Sequence, residues 1–384
     1  MATKQQPQPS RRRRGCSCLR LLVVLGLILL AGALFLRVGG SVATVFEACP
    51  RSGPAPLITT LRPAGGRVDW SKQRNLIAYD RPSADGDYEI FIMEPDGSND
   101  RCITCNAAEL AAPGHRGNPT WHPSGEYLVF QAEKPRDDAS GFQATPGFGA
   151  RSDLWLAAAD GSAFYQLTDL PNSTDQGVLH PHFSPAGDQL IWSQMYAGPD
   201  LSELKQEFGF WQIHVADFAI TPQGPQLSAE QAFEPLGPAF YETHAFAPER
   251  EDVLLFSSNA AKDRVVSLEN HLYLLDLADL TTTQLTFDGY SEHAHFSPAG
   301  EWIAWMWNRD NPNRGTDLWL MRPDGSAQTR LTYYNHARCA EHEWRPLTVS
   351  DNSWGPGGDR IVAFVATDLI RQVGRIDLIV FERP

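Results

Sequence analysis

One phrase recurs along this chain and constrains its fold more than any other feature. It reads aromatic, small residue, Pro, turn, then a short apolar strand. It appears as Trp121-His-Pro-Ser-Gly-Glu-Tyr-Leu-Val-Phe130, Phe183-Ser-Pro-Ala-Gly-Asp-Gln-Leu-Ile-Trp192 and Phe296-Ser-Pro-Ala-Gly-Glu-Trp-Ile-Ala-Trp305. Weaker copies start at Trp70, Phe246 and Trp354, which makes six copies spaced 50 to 63 residues apart. A period of this length marks a repeat architecture, in which each repeat is one supersecondary unit. After each copy comes a third strand, such as Tyr88–Met93, Asp153–Leu156, His271–Leu275 or Asp317–Met321. A tight turn follows at Pro95-Asp-Gly-Ser98, Asp160-Gly-Ser162 or Pro323-Asp-Gly-Ser326, where Gly accepts a positive φ. A fourth strand is predicted to end in a Leu/Ile-Thr pair: Ile103-Thr104, Leu167-Thr168, Leu285-Thr286, Leu331-Thr332. Four antiparallel strands per repeat make a propeller blade.

The chain ends fit this scheme. The sixth copy stops after its third strand, yet Pro56-Leu-Ile-Thr59 matches a fourth-strand ending upstream of the first copy. The predicted fold is therefore all-β, a six-bladed β-propeller over residues 56–384 closed by an N-terminal strand. Closure removes an edge strand that would otherwise invite aggregation. The phrases resemble the WD40-like repeats of TolB-type propellers, with Trp121 to Thr168 and Phe296 to Thr332 carrying the likeness most fully. That resemblance implies the fold and says little of activity, because propellers host unrelated functions. TolB proteins carry a further N-terminal α/β domain, and here only about twenty residues separate the propeller from the preceding apolar run.

That run spans Leu21 to Leu36, behind Arg11 to Arg14. A basic flank before an apolar stretch keeps the N-terminus cytoplasmic and sends the rest across. The expected plan is a cytoplasmic basic tail (1–18), a transmembrane signal anchor (19–38), a linker (39–55) and an extracytoplasmic propeller, periplasmic or extracellular. The rival is a cleavable signal peptide with a site at Ser41-Val42-Ala43. Residues 1–37 hold seven basic side chains and no acid, so the remainder has 25 bases against 46 acids. A domain this acidic repels a phosphate backbone, and nucleic-acid binding is not expected. Cys49, Cys102, Cys105 and Cys339 lie on the translocated side, where an oxidising compartment allows pairing. Cys102-Ile-Thr-Cys105 reads as a structural disulfide, with zinc or redox chemistry and free thiols as alternatives.

No Gly-x-Ser-x-Gly elbow, His-Glu-x-x-His helix or P-loop is present. One constellation does carry chemistry. The residues opening the first strands of blades three to five are His180-Pro-His182, Glu242-Thr-His244 and Glu292-His-Ala-His295. Innermost strands line the channel and start at one face, so equivalent positions in neighbouring blades are close. His180 aligns with His293 and His182 with His295, while His244 is one register off. The candidate metal ligands are thus His180, His182, His244, His293 and His295, for a divalent transition metal. The alternative is that these imidazoles only bond channel waters and loops. Oligogalacturonate lyases have a related propeller and bind a divalent metal through channel histidines, including a His-x-His pair that His293-Ala-His295 resembles. Glu341-His342-Glu343 lies in a loop on the same face and is a further candidate. Asp153, Asp317 and Asp377 are expected to bond turn backbones, and Trp302, Trp305 and Trp307 to pack between blades.

Two functional readings follow. One is a binding or scaffold module that presents its loop-rich top face, with insertions at 133–152, 197–209 and 218–242, to a protein partner or small ligand. The other is a metal-dependent enzyme resembling oligogalacturonate lyase. The acidic charge and the lack of a basic cluster near the histidines argue against a polyanionic substrate, so the first is preferred.

Overall fold

The aromatic-Pro-Gly phrases fold as turns that join the first two strands of each repeat. In the computed structural model, residues 48–110, 113–135, 141–199, 207–261, 269–311, 315–368 and 373–383 are described. Among them are six antiparallel sheets of four strands. The first four-strand sheet in the chain is Val68–Trp70, Ile77–Pro82, Tyr88–Met93 and Arg101–Cys102. Inner strands of the later sheets are Arg116–Trp121, Gly177–Phe183, Tyr241–Ala247, Ser291–Phe296 and Thr348–Trp354. Each inner strand abuts the inner strand of the next sheet, and Thr348–Trp354 returns to Val68–Trp70, giving a six-bladed propeller. The second and third strands are buried on both faces, as in Ile361–Ala366 and Leu318–Met321, which explains why their sequences are near-continuous apolar runs.

In the last sheet, Thr348–Trp354, Arg360–Asp368 and Val373–Val380 are joined by Leu57–Gly65, which pairs antiparallel with Val373–Val380. The matched residue is Thr60, opposite Asp377, one position beyond the expected Thr59. The Leu/Ile-Thr pairs also lie just past the fourth strands rather than at their ends. Their role is a latch. The hydroxyls of Thr104, Thr168, Thr286 and Thr332 each accept the N–H of a third-strand residue (Ile90, Leu154, Leu272, Leu318) at 2.9 Å. Thr168 and Thr332 in turn donate to Asp153 and Asp317 at 3.1 and 3.0 Å, and Thr60 donates to Asp377 at 2.7 Å. Asp153 and Asp317 also accept the backbone N–H of Leu170 and Tyr334 at 2.9 and 2.7 Å, as expected, whereas Asp377 is held by side chains rather than by turn backbone. Thr332→Val keeps shape but strands the Leu318 N–H and removes one of the two hydrogen bonds to Asp317 Oδ1, the other coming from Tyr334 N. The expected loss is about 1–3 kcal/mol, read as a lower urea midpoint with unchanged slope.

The third sheet departs from the sequence reading. Residues 218–242 are not a loop insertion. Phe210–Thr221 and Gly224–Phe233 form a long hairpin that includes most of that segment, because Thr221 and Gly224 close a tight turn. Trp305, Trp307 and Trp319 pack together with ring centroids 4.9 to 6.2 Å apart. They share a core with Leu255, Leu272 and Leu285 of the preceding blade, and Trp302 packs toward Trp354 of the following one. Cys102 and Cys105 form a disulfide with Cα atoms 5.8 Å apart. Among the described residues no helix is long and apolar enough to cross a membrane. Leu21–Leu36 lies outside the described residues.

Candidate metal centre at the channel mouth

Each inner strand from the second blade to the sixth breaks its pairing register near its start. Such a bulge leaves one residue unpaired and re-aims its side chain. Three of the residues there, Asn118, His180 and His293, adopt positive φ of 52°, 49° and 48°. Counting back three positions from each blade's aromatic gives one tier around the channel: Arg67, Asn118, His180, Thr243, His293 and Asp351. Glu242 reaches into this tier from one position earlier.

Four of these groups converge. Glu242 Oε1 lies 3.3 Å from His180 Nε2 and 3.1 Å from His293 Nδ1. Asp351 Oδ1 is 3.8 Å from His180 Nδ1 and 3.5 Å from His293 Nδ1. His180, Glu242 and His293 offer one ligand atom each, all within 4.8 Å of one another. Glu242 Oε1 and His293 Nδ1 are buried and, despite their closeness, neither is aligned for a hydrogen bond. Buried polar atoms without partners are costly and rare. Ligand atoms this close together, two of them without a hydrogen-bond partner, suit a shared cation.

His182 and His295 lie side by side with ring centroids 5.2 Å apart and planes tilted by 60°, as expected from their alignment. They form a separate tier two residues further along the inner strands. His244 sits between the tiers, its ring 6.1 Å from His293 and 6.3 Å from His295, and neither of its nitrogens has a hydrogen-bond partner. The five histidines thus divide between levels. Glu341, His342 and Glu343 do not approach the cluster: Glu341 pairs with Arg51, His342 meets Tyr334 O at 3.0 Å, and Glu343 pairs with Arg375.

Burial dominates the electrostatics. It pushes His180 down to about 3 and His182 to about 4. It drives His244 and His295 well below the usual imidazole value, helped by neighbouring histidines. Neutral imidazole is the form that ligates metals. Burial, then Glu292 and Asp351, raises Glu242 well above the carboxylate range. Burial also raises Glu292 to about 8, although Tyr290 and Asn270 bond it and oppose the shift. Burial opposes ionisation of Asp351 too, but His293, His180 and Arg67 together hold it below its usual value. Arg67 stands 3.4 Å from Asp80.

Above the cluster opens a cavity of about 290 Å³. Its floor is His180, Glu242, Glu292, His293, Asp351 and Arg67, and its walls include Phe148, Phe208, Trp211 and Phe240. Phe148 and Phe208 come from the predicted insertions 133–152 and 197–209. Trp211 Nε1 donates to Phe208 O at 2.6 Å, and Phe208 lies 5.3 Å from Phe240 between ring centroids. Sequence reasoning missed Asp351 and Arg67. The signal was the tier itself, found by counting back from Trp354 and Trp70, where no histidine draws attention. Glu242 was visible in Glu242-Thr-His244 but was passed over for His244.

No family model matches this sequence, and no curated protein does. Solved structures with a similar chain path include TolB from Acinetobacter baumannii, at 14% identity and TM-score 0.47. That match covers 83% of this chain and 63% of TolB, less than two thirds of its length. The oligogalacturonate lyase of Vibrio parahaemolyticus matches at 9% identity and TM-score 0.49, covering 87% of this chain and 96% of the lyase. An oligogalacturonate lyase in complex with manganese matches at 10% identity and TM-score 0.48, covering 88% and 96%. Identities this low speak to fold alone.

Proposed function

We propose that this chain is a membrane-anchored, extracytoplasmic propeller that binds a small ligand at its channel mouth around a divalent transition metal. His180, Glu242 and His293 would hold the metal, with Asp351 beside them. The observation that supports this most is the convergence of Glu242 Oε1 and His293 Nδ1, both buried and neither hydrogen-bonded. Two neutral imidazoles with a carboxylate suit Mn, Fe, Ni or Zn, and an open side toward the cavity leaves room for an exogenous ligand. Leu21–Leu36 would anchor the chain, and Leu57–Gly65 would close the ring by completing the sixth blade. Metal analysis of the purified full chain should find about one transition metal per molecule, removed by a chelator and restored by Mn²⁺ or Zn²⁺. A chain that neither retains nor rebinds metal contradicts this reading.

One observation favours a second, enzymatic reading. Glu292 lines the cavity, lies 3.8 Å from His293 and has its pKa raised to about 8, mainly by burial. A carboxyl poised near neutral pH is suited to proton transfer. If the protein is an enzyme, Glu292→Gln should abolish turnover while metal stays bound. Undiminished turnover in that variant removes the proton-transfer role.

A further inference from the structure

The walls and floor of the mouth cavity together specify a ligand class, and this inference rests on the metal-centred reading of the site. The floor holds three carboxylates, Glu242, Glu292 and Asp351, and one guanidinium, Arg67. Among the described residues, Arg67 is the only Arg or Lys that lines the cavity. Arg67 is engaged by Asp80 at 3.4 Å and faces Asp351, so it is committed within the protein. Beyond the metal, a multiply charged ligand would find no uncommitted Arg or Lys to pair with.

The walls add a second constraint. Phe148, Leu179, Phe208, Trp211, Phe240 and Met306 surround the opening above the metal. Trp211 and Phe240 meet edge to face with centroids 5.8 Å apart, and the Trp211 N–H is used on Phe208 O. The indole therefore presents only apolar surface to the cavity. Tyr290, Thr348 and Ser350 also line the cavity, but the Tyr290 and Ser350 hydroxyls already donate to Glu292 and Asp351. A sugar ring between the aromatic walls would turn most of its hydroxyls toward carbon, and such groups are expensive to bury unpaired. A flat apolar body instead meets aromatic edges and faces of the kind that rings pack against.

We infer that the cavity takes a small aromatic monocarboxylate, its ring between Phe148, Phe208, Trp211 and Phe240 and its carboxylate on the metal, and not a uronic-acid saccharide. An open coordination position on the metal accepts one carboxylate, and no second cation lines the cavity for another. A volume of about 290 Å³ holds a single ring with a short acid arm.

The test uses the full chain in lipid nanodiscs, so that no detergent fills an apolar cavity. Mn²⁺ is titrated alone, then with phenylacetate or indole-3-acetate, then with galacturonate and digalacturonate. Binding of ligand and metal at one site is reciprocal, so a ligand that sits on the metal tightens Mn²⁺ by the factor by which Mn²⁺ tightens the ligand. The expected result is at least a tenfold gain in Mn²⁺ affinity with an aromatic acid and less than twofold with either uronate. Phe208→Ser is expected to lower the aromatic acid's affinity about tenfold. A larger gain with a uronate, or no gain with any acid while Mn²⁺ binds, overturns the ligand class and leaves the metal centre standing. Failure of Mn²⁺ to bind in the first titration overturns the metal centre itself, and the ligand inference falls with it.

Discussion

Replacing His180 and His293 together by alanine is expected to remove stoichiometric metal from the purified protein. His182→Ala with His295→Ala is expected to leave it in place. The contrast follows from geometry. His180 Nε2 and His293 Nδ1 both lie within 3.3 Å of Glu242 Oε1, whereas His182 and His295 pair with each other in a different tier. Losing even an outer-shell partner of a metal ligand lowers affinity by about 10–100-fold, so losing two direct ligands should lower it by roughly 10²–10⁴-fold. Titration with Zn²⁺ or Mn²⁺, with circular dichroism to confirm that each variant is folded, reads the difference. Equal loss in both double variants would mean that all the histidines act as one centre.

Asp377→Ala is expected to destabilise the propeller by about 2–4 kcal/mol, because it breaks a partly buried ion pair and leaves the buried Tyr334 hydroxyl without its acceptor, while Arg375 keeps Glu343. Asp377 is fully buried between the two ends of the chain. It accepts from Thr60 Oγ1 at 2.7 Å, from Tyr334 OH at 2.9 Å and from Arg375 Nε at 2.9 Å. Asp377 thus joins the N-terminal strand, the loop after the fifth blade and the last strand through one side chain. Asp377→Asn keeps an acceptor and should cost less. The measurement is the urea midpoint of both variants in the full chain. A shift equivalent to under 1 kcal/mol for the alanine variant would show that the strand pairing alone holds this sheet together.

The blades were legible because their signals are local and repeated. Trp121 to Phe130 and Phe296 to Trp305 each encode a turn and two flanking strands within ten residues, and sheet pairing then aligns the copies. Thr60 was displaced by one because Leu57–Gly65 runs past the matched phrase and changes register at Thr60/Arg62. The hairpin over Phe210–Phe233 was misread as a loop. Its outer strand, Gly224–Phe233, is largely exposed, so it lacks the apolar pattern that marked the other strands.

The site was legible only in part, for a physical reason. Histidines stand out in a sequence because they are few, and alignment by blade paired His180 with His293 correctly. The bulges decide which atoms meet, and nothing in a single strand announces a positive φ at His180 or His293. Asp351 lies in Val349-Ser-Asp-Asn-Ser353, an ordinary polar run until the ring brings it to 3.5 Å from His293. Arg67 likewise acquires its place from closure between the first and sixth blades. These groups stand 58 (His293 and Asp351) and 284 (Arg67 and Asp351) positions apart, and only the propeller geometry relates them.

The most direct test of the metal centre is an anomalous difference map from crystals of the Mn²⁺-loaded protein, collected near the manganese absorption edge. The structure predicts one strong peak between His180 Nε2, Glu242 Oε1 and His293 Nδ1, open to the cavity beneath Phe208 and Trp211. A peak among His182, His244 and His295, or no peak in the channel at all, would contradict it.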